Sequence, residues 1–338
     1  MVDSEIPALV DFLDAEKVGA GPVSLAPIGD GHSNLSYLVE RGGERFVLRR
    51  PPHGQISGSA NDVLRESRIL EALAGTTVPV PAVLARCEDE GVIGAPFYVM
   101  SFVAGTTVGD GLPAELDAPG APARIATTLA RTLAELHAID PAAAGLDAFG
   151  RPSGYLERQL RRFGSLLEEN ATRPLPQLEE VAAWLAENLP ASPPATFVHG
   201  DYRLGNVLFG APLRLAVVLD WELATVGDPL ADVGYMTAMW AAPGDAPNPM
   251  FALSRATARG DFPDREELAR IYAEASGREL GALRWYQVLA LWKSAIFLEG
   301  SNRRYQAGDS ADPYFAGLAE GVPALARAAH EWTRKAVA

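Results

Sequence analysis

The feature that most constrains the fold is a change of character near residue 122. Before it, short apolar runs at 23–28, 35–40 and 45–49 alternate with glycine punctuation at Gly29, Gly31 and Gly42-Gly43, which predicts an antiparallel meander. Residues 61–74 (NDVLRESRILEALA) break that rhythm. They place Val63, Leu64, Ser67, Leu70 and Ala74 near helical spacing, behind an Asn61 cap and with Gly75 as a stop. Pro79 and Pro81 introduce a further strand pair, whose second member is the apolar run at 97–103 ending at Gly105. After residue 122, segments 123–138, 155–169 and 178–189 score as helices on period and composition. Only Phe197-Val198 and the run at 213–219 interrupt them, and after Trp221 helices return, broken by the Pro/Gly-rich stretch 241–250.

That division predicts a small lobe, 1–103, built on a sheet with one helix, and a larger, mainly helical lobe, 104–338. A chain of 338 residues with 48% hydrophobic and 21% charged residues can bury such a core without covalent staples. The single cysteine, Cys87, excludes a disulfide framework and a Cys-based zinc site, and the five histidines are dispersed. Any metal is therefore expected to be a hard ion held by oxygen. A net charge of −14 without a Lys/Arg run argues against nucleic-acid and membrane partners. The acidic opening MVDSEIPALVDFL and the absence of a spanning apolar run lead us to expect a cytoplasmic protein with a small-molecule substrate.

Four local features carry chemistry. In His199-Gly200-Asp201-Tyr202-Arg203-Leu204-Gly205-Asn206 an Asp and an Asn are separated by four residues after a strand. In phosphoryl transfer that spacing lets the Asp orient or deprotonate a hydroxyl while the Asn turns back to a magnesium ion. Asp220, fourteen residues beyond Asn206, ends the apolar strand LAVVL, where a carboxylate is well placed to meet a metal bridging nucleotide phosphates. The turn Gly29-Asp30-Gly31-His32-Ser33-Asn34 lets backbone approach phosphate oxygens. Arg49 lies on a strand and Glu66 on the helix after it, a cation and a carboxylate able to orient it. Each alone also fits a capped turn, a hairpin or a solvated charge.

Their order along the chain is the order of parts in protein kinases. With VHGDYRLGNVLF and VLDWELATVGDPLADVGY, the sequence resembles the aminoglycoside phosphotransferase family from about residue 27 to 304. FVLRRPP, RESRIL and KSAIFLEGSNRRY make it similar to the kinase-like domains fused to some acyl-CoA dehydrogenases. The resemblance implies a bilobal α+β protein-kinase-like fold and an ATP- and magnesium-dependent transfer of phosphate to a hydroxyl of a small molecule. It implies Asp201 as base, Arg203 on the transferred phosphate, and Asn206 and Asp220 on magnesium. By the same resemblance Gly31, Ser33 and Asn34 line the triphosphate, Arg49 and Glu66 form the phosphate-orienting ion pair, and Met100 and Phe102 belong to the adenine-facing hinge. His199 is read as structural. Position 49 departs from the kinase pattern in being Arg where those have Lys.

Two other readings remain open at this level. One is a nucleotide-binding pseudokinase with a regulatory role, against which stands the retention of Asp201, Asn206 and Asp220 together. The other is an aminoglycoside-modifying kinase, with which the acidic balance is compatible. In the late segment at 292–305, Lys293, Ile296 and Phe297 share one helical side, an apolar wall with a cation beside it. That wall, with Lys293 and Arg304 as acceptor-binding residues, favours an anionic or hydroxyacyl-like acceptor over a polycation.

Overall fold

The computed structural model describes residues 5–29, 34–52, 62–308 and 313–334. It divides into two compact units: Met1–Gly105 with Ala216–Ala224, and Thr106–Leu215 with Thr225–Ala338.

The first unit is a five-stranded antiparallel sheet ordered β1-β2-β3-β5-β4. Its strands are β1 (Val23–Ile28), β2 (Leu35–Arg41), β3 (Glu44–Arg50), β4 (Val83–Cys87) and β5 (Phe97–Ser101). The central strand β3 puts Phe46 and Leu48 into a core shared with Val39, Phe97 and Val99. Among the described residues two helices accompany the sheet, where the sequence predicts one. The addition is α1 (Ile6–Ala15), whose Leu9 and Leu13, four residues apart, are fully buried in that core, while Phe12 meets Phe97 edge-on at 5.1 Å. The expected helix is α2 (Val63–Leu73). The Asn61 cap lies outside the described residues. Asp62 is the N-cap, its carboxylate accepting from the Arg65 amide at 2.8 Å. The strand expected at 97–103 stops at Ser101.

The second unit is mainly helical. It contains α3 (Ala121–His137), α4 (Tyr155–Asn170), α5 (Pro176–Glu187), α6 (Pro229–Ala238), α7 (Pro249–Ala252), α8 (Arg265–Ser276), α9 (Leu283–Gln306) and α10 (Leu318–Arg334). Strands β6 (Thr196–Val198) and β9 (Thr225–Gly227) pair antiparallel, β7 (Val207–Gly210) follows the loop carrying Asp201, and the chain passes to the first unit along β8 (Arg214–Val218). The short β7 and β9 were not anticipated. Helix α9 is buried on nearly every side because other helices pack against it: Trp285, Leu289, Trp292, Ile296 and Leu298 are all buried. Its indoles also tie it to α5, Trp292 donating to the Leu178 carbonyl and Trp285 to that of Leu185, each at 3.0 Å. No helix among the described residues is long and apolar enough to cross a membrane.

Candidate active-site residues

In the first unit, strand alternation turns Arg49 toward α2, and its guanidinium fork has separate partners for separate nitrogens. Nε donates to Glu66 at 2.8 Å, Nη2 to Asp220 at 2.6 Å and Nη1 to the Ser36 hydroxyl at 3.3 Å. Glu222 stands 3.6 Å from Nη2 and accepts from the Asn34 amide at 3.0 Å. A lysine ammonium could not span this set, which gives a physical account of Arg at position 49. Burial works against the arginine's charge, but Glu66 and Asp220 outweigh it and hold its proton above the ordinary range. Burial pushes the Glu66 carboxyl up, with Arg49 opposing. Glu66 also accepts from the Trp221 amide at 3.2 Å. Asp220 sits in the left-handed region at φ 68°, at the turn out of β8, and is one-third exposed. Arg65 donates to the carbonyls of Glu222 and Ala224, pinning this turn from α2.

Gly31 and Ser33 lie outside the described residues; Asn34 is buried beside Glu222. Met100 pairs with Val47 on one side and Val83 on the other, so its backbone is spent on the sheet. Phe102 follows the end of β5, with the Arg45 guanidinium 4.2 Å over its ring.

In the second unit, the loop after β6 places Asp201 against Asn206, whose Nδ2 donates to the Asp201 carboxylate at 2.7 Å and to its carbonyl at 2.8 Å. With the amide nitrogen so engaged, the Asn206 carbonyl oxygen is the atom able to meet a cation. Arg203 Nε stands 3.6 Å from the other Asp201 oxygen. Its guanidinium folds over Gly205, where a Cβ would come within 2.1 Å of Nη1, so glycine is what admits this pose. His199 is fully buried and accepts from the Asp201 amide at 3.2 Å, a structural part.

Asp232 is the residue that sequence reasoning missed. Buried on α6, it accepts from the His199 and Gly200 amides at 2.7 and 2.8 Å and faces His137 Nε2 at 3.2 Å, while His137 Nδ1 meets the Tyr272 hydroxyl at 2.7 Å. Although burial works against its charge, the bonds from His137 and the backbone draw the Asp232 carboxyl below its usual range. Burial lowers His137 against the pull of Asp232, and since a carboxylate only accepts, Nε2 is the nitrogen that donates to it. The surrounding motif GDPLADVGY reads clearly in retrospect. Asp228 caps α6 at the Leu230 amide and accepts from Tyr286 at 2.7 Å. Gly234 lets α9 approach, since a Cβ there would lie 2.4 Å from that of Tyr286.

The expected acceptor wall does not form as one surface. Ile296 is fully buried and Phe297 is 60% exposed, because α9 turns one toward the core and the other away from it. Lys293 is half-buried and within electrostatic reach of Asp201 and Asp232. Arg304 lies eleven residues on, ~16 Å along the axis, exposed and bonded to Ser301 at 3.1 Å, so it does not join Lys293.

The sequence pattern of the phosphotransferase enzyme family matches residues 24–286. Acyl-CoA dehydrogenase family member 11 of Gallus gallus is 35% identical over 323 residues, covering 94% of this chain and 41% of that protein. Family member 10 of Mus musculus is 33% identical over 292 residues, covering 86% and 27%. The chain thus spans between about a quarter and two fifths of the length of these curated relatives. Among solved structures, a provisionally named aminoglycoside phosphotransferase of Ralstonia eutropha JMP134 matches with TM-score 0.81 and 30% identity, over 98% of this chain and 99% of that one. A thermostable variant of aminoglycoside phosphotransferase APH(4)-Ia, in ternary complex with AMP-PNP and hygromycin B, matches with TM-score 0.62 and 19% identity over 96% and 98%, a likeness of fold.

Proposed function

The chain belongs to the phosphotransferase enzyme family, and from that premise we propose that it transfers the γ-phosphate of ATP, with magnesium, to a hydroxyl group of a small molecule. The observation that carries this reading is the Asp201–Asn206 pair, held in a loop whose amides are gripped by a buried carboxylate. Nucleotide complexes of a fold neighbour support ATP as donor.

The residues present fit magnesium. Around Arg49 stand Glu66, Asp220 and Glu222, three carboxylates to one guanidinium, leaving surplus hard oxygen. Among the described residues no cluster of His, Cys, Asp and Glu is arranged to hold a metal alone. That suits an ion which takes one or two protein ligands and completes its shell with phosphate and water. Asp220 and the Asn206 carbonyl oxygen would hold it, and when bound it would neutralise charge building on the phosphates.

The chain's own groups have separable tasks in this reading. Asp201 orients the acceptor hydroxyl and takes its proton, Asn206 fixes the Asp201 rotamer, and Arg203 meets the transferred phosphoryl group. Arg49, braced by Glu66, faces the donor phosphates with Asn34, Gly31 and Ser33, while Met100 and Phe102 flank the base. Lys293 belongs to the acceptor side. The acceptor is hydroxyacyl-like, a reading supported by the curated relatives being acyl-CoA dehydrogenase family members. ADP release across hydroxyacyl compounds, choline-like amines and kanamycin tests it. Turnover confined to hydroxyacyl compounds is expected; turnover of kanamycin alone would replace the reading with antibiotic modification, and none with any acceptor would favour a regulatory nucleotide-binding module.

A further inference from the structure

The chain meets its need for positive charge with 26 arginines and only three lysines, against 43 carboxylates. Several described arginines are salt-bridged, as Arg49, Arg173 and Arg265 are. Half-buried Lys293 and exposed Arg162 are among the cations that are not. The Lys293 ammonium lies 4.8 Å from the centroid of the Phe163 ring, and the Arg162 guanidinium lies 6.0 Å from the same centroid. Among the described residues neither cation has a carboxylate within salt-bridge distance. Two like charges from α9 and α4 thus share one aromatic ring in the unit that carries Asp201.

This arrangement is costly on its own. Desolvation first, then the charge of Arg162, pushes the Lys293 ammonium down to about 8, with Asp232 and Asp201 only partly offsetting them. A cation–π contact returns ~0.5–2 kcal/mol, which does not replace a counterion. A half-buried ammonium with no salt bridge, within electrostatic reach of a candidate catalytic carboxylate, marks a place where a ligand's charge completes the set. The missing charge is negative, and two cations on one aromatic ring suit an oxyanion attached to a short carbon chain.

We propose that Lys293 and Arg162, seated on Phe163, bind an oxyanion carried by the acceptor, a carboxylate or a phosphate ester, and so select anionic hydroxy compounds as substrates. The proposal rests on the phosphotransferase reading above and adds to it two α4 residues and the charge of the acceptor.

With three lysines in the chain, amine labelling followed by peptide mass spectrometry resolves Lys293 without any need for turnover. The probes are 3-hydroxybutyrate and glycerol 3-phosphate, each paired with its uncharged counterpart, methyl 3-hydroxybutyrate and glycerol. Slower labelling of Lys293 with a charged probe, no change with its neutral partner, and an unaffected Lys17 are expected; which probe protects separates carboxylate from phosphate ester. Arg162→Gln should abolish most of that protection. In the kinetic arm, Lys293→Met should raise KM for a charged acceptor by at least ~tenfold while leaving KM for its neutral analogue in place. Equal Lys293 labelling with every probe, or a KM rise alike for charged and neutral acceptors, overturns the proposal. Protection without ADP release from any acceptor would instead count against phosphotransfer and leave the anion site standing.

Discussion

Replacing Asp232 by Asn should destabilise the fold far more than its distance from the reacting atoms suggests. The carboxylate serves three donors: Oδ2 takes the His199 amide at 2.7 Å and faces His137 Nε2 at 3.2 Å, and Oδ1 takes the Gly200 amide at 2.8 Å. An Asn side chain offers one oxygen. In its less damaging orientation that oxygen keeps His199 and His137, and the NH2 group then confronts the Gly200 N–H, donor against donor. One charge-assisted bond, worth ~1.5–3 kcal/mol, is lost and one buried amide is orphaned at ~1–3 kcal/mol. The sum, ~2.5–6 kcal/mol, is a large fraction of a typical stability margin of ~5–15 kcal/mol. The depressed Asp232 pKa agrees in sign, since a carboxyl drawn below its unfolded value stabilises the fold at neutral pH and loses that contribution as pH falls through its native pKa. Urea unfolding compares Asp232→Asn with Asp201→Asn, a change at a partly exposed carboxylate that leaves the backbone amides satisfied. A midpoint for Asp232→Asn equal to that of the parent chain would refute the argument, because no relaxation consistent with these distances satisfies all three donors.

Asp201→Asn should lower turnover by ~10²–10⁴-fold, the usual worth of general-base assistance, with Mg·ATP affinity near normal; equal turnover would remove Asp201 from its role. Asp220→Ala should abolish the magnesium dependence of ATP binding measured by calorimetry, and an unchanged metal-dependent affinity would count against it. Gly205→Ala should displace Arg203 from Asp201 and depress turnover while the thermal midpoint stays close to that of the parent, which a turnover assay beside a melting curve checks. Because the Lys293 ammonium is lowered to about 8 by burial and Arg162, KM for an anionic acceptor should climb as pH rises through 8, and the neutral analogue should show no such climb. For stability the sign is opposite: the unfolded lysine keeps its proton longer, so this group's destabilising contribution is relieved between pH 8 and its unfolded pKa.

Much of the fold was legible because its signals are local. The periodicity of residues 63–73 and the glycine-separated strands needed no tertiary information, and α2 and β1 to β3 lie close to where their patterns place them. What escaped depended on partners distant in sequence. Helix α1 has an ordinary Leu9/Leu13 spacing that becomes decisive only against Phe97 and Val99. Strand β5 stops at Ser101 because its ladder with β3 ends there, which no feature of FYVMSFV announces. Asp232 lay in plain view inside GDPLADVGY, but a carboxylate on a helix is a solvated charge until its loop partners, 32 and 33 residues earlier, are known.

The acceptor side shows the same limit from the other direction. Sequence spacing grouped Lys293 with Ile296 and Phe297 as one helical side, yet a side spanning about 100° holds both a core-facing and an outward-facing residue, and burial separates them cleanly, Ile296 at 0% and Phe297 at 60%. What gives Lys293 its meaning comes from α4, through Phe163 and Arg162, some 130 positions away. Arg49 makes the complementary point. It departs from the kinase lysine, and the three directions of its fork, to Glu66, Asp220 and Ser36, are a use that lysine could not serve. A residue type that breaks a motif is therefore best judged by the number and direction of partners it must satisfy. By that measure Arg49 holds together the helix carboxylate and the strand-end carboxylate of its unit, and Lys293 takes its meaning from Phe163 and Arg162, with only Asp232 and Asp201 at longer range to answer its charge.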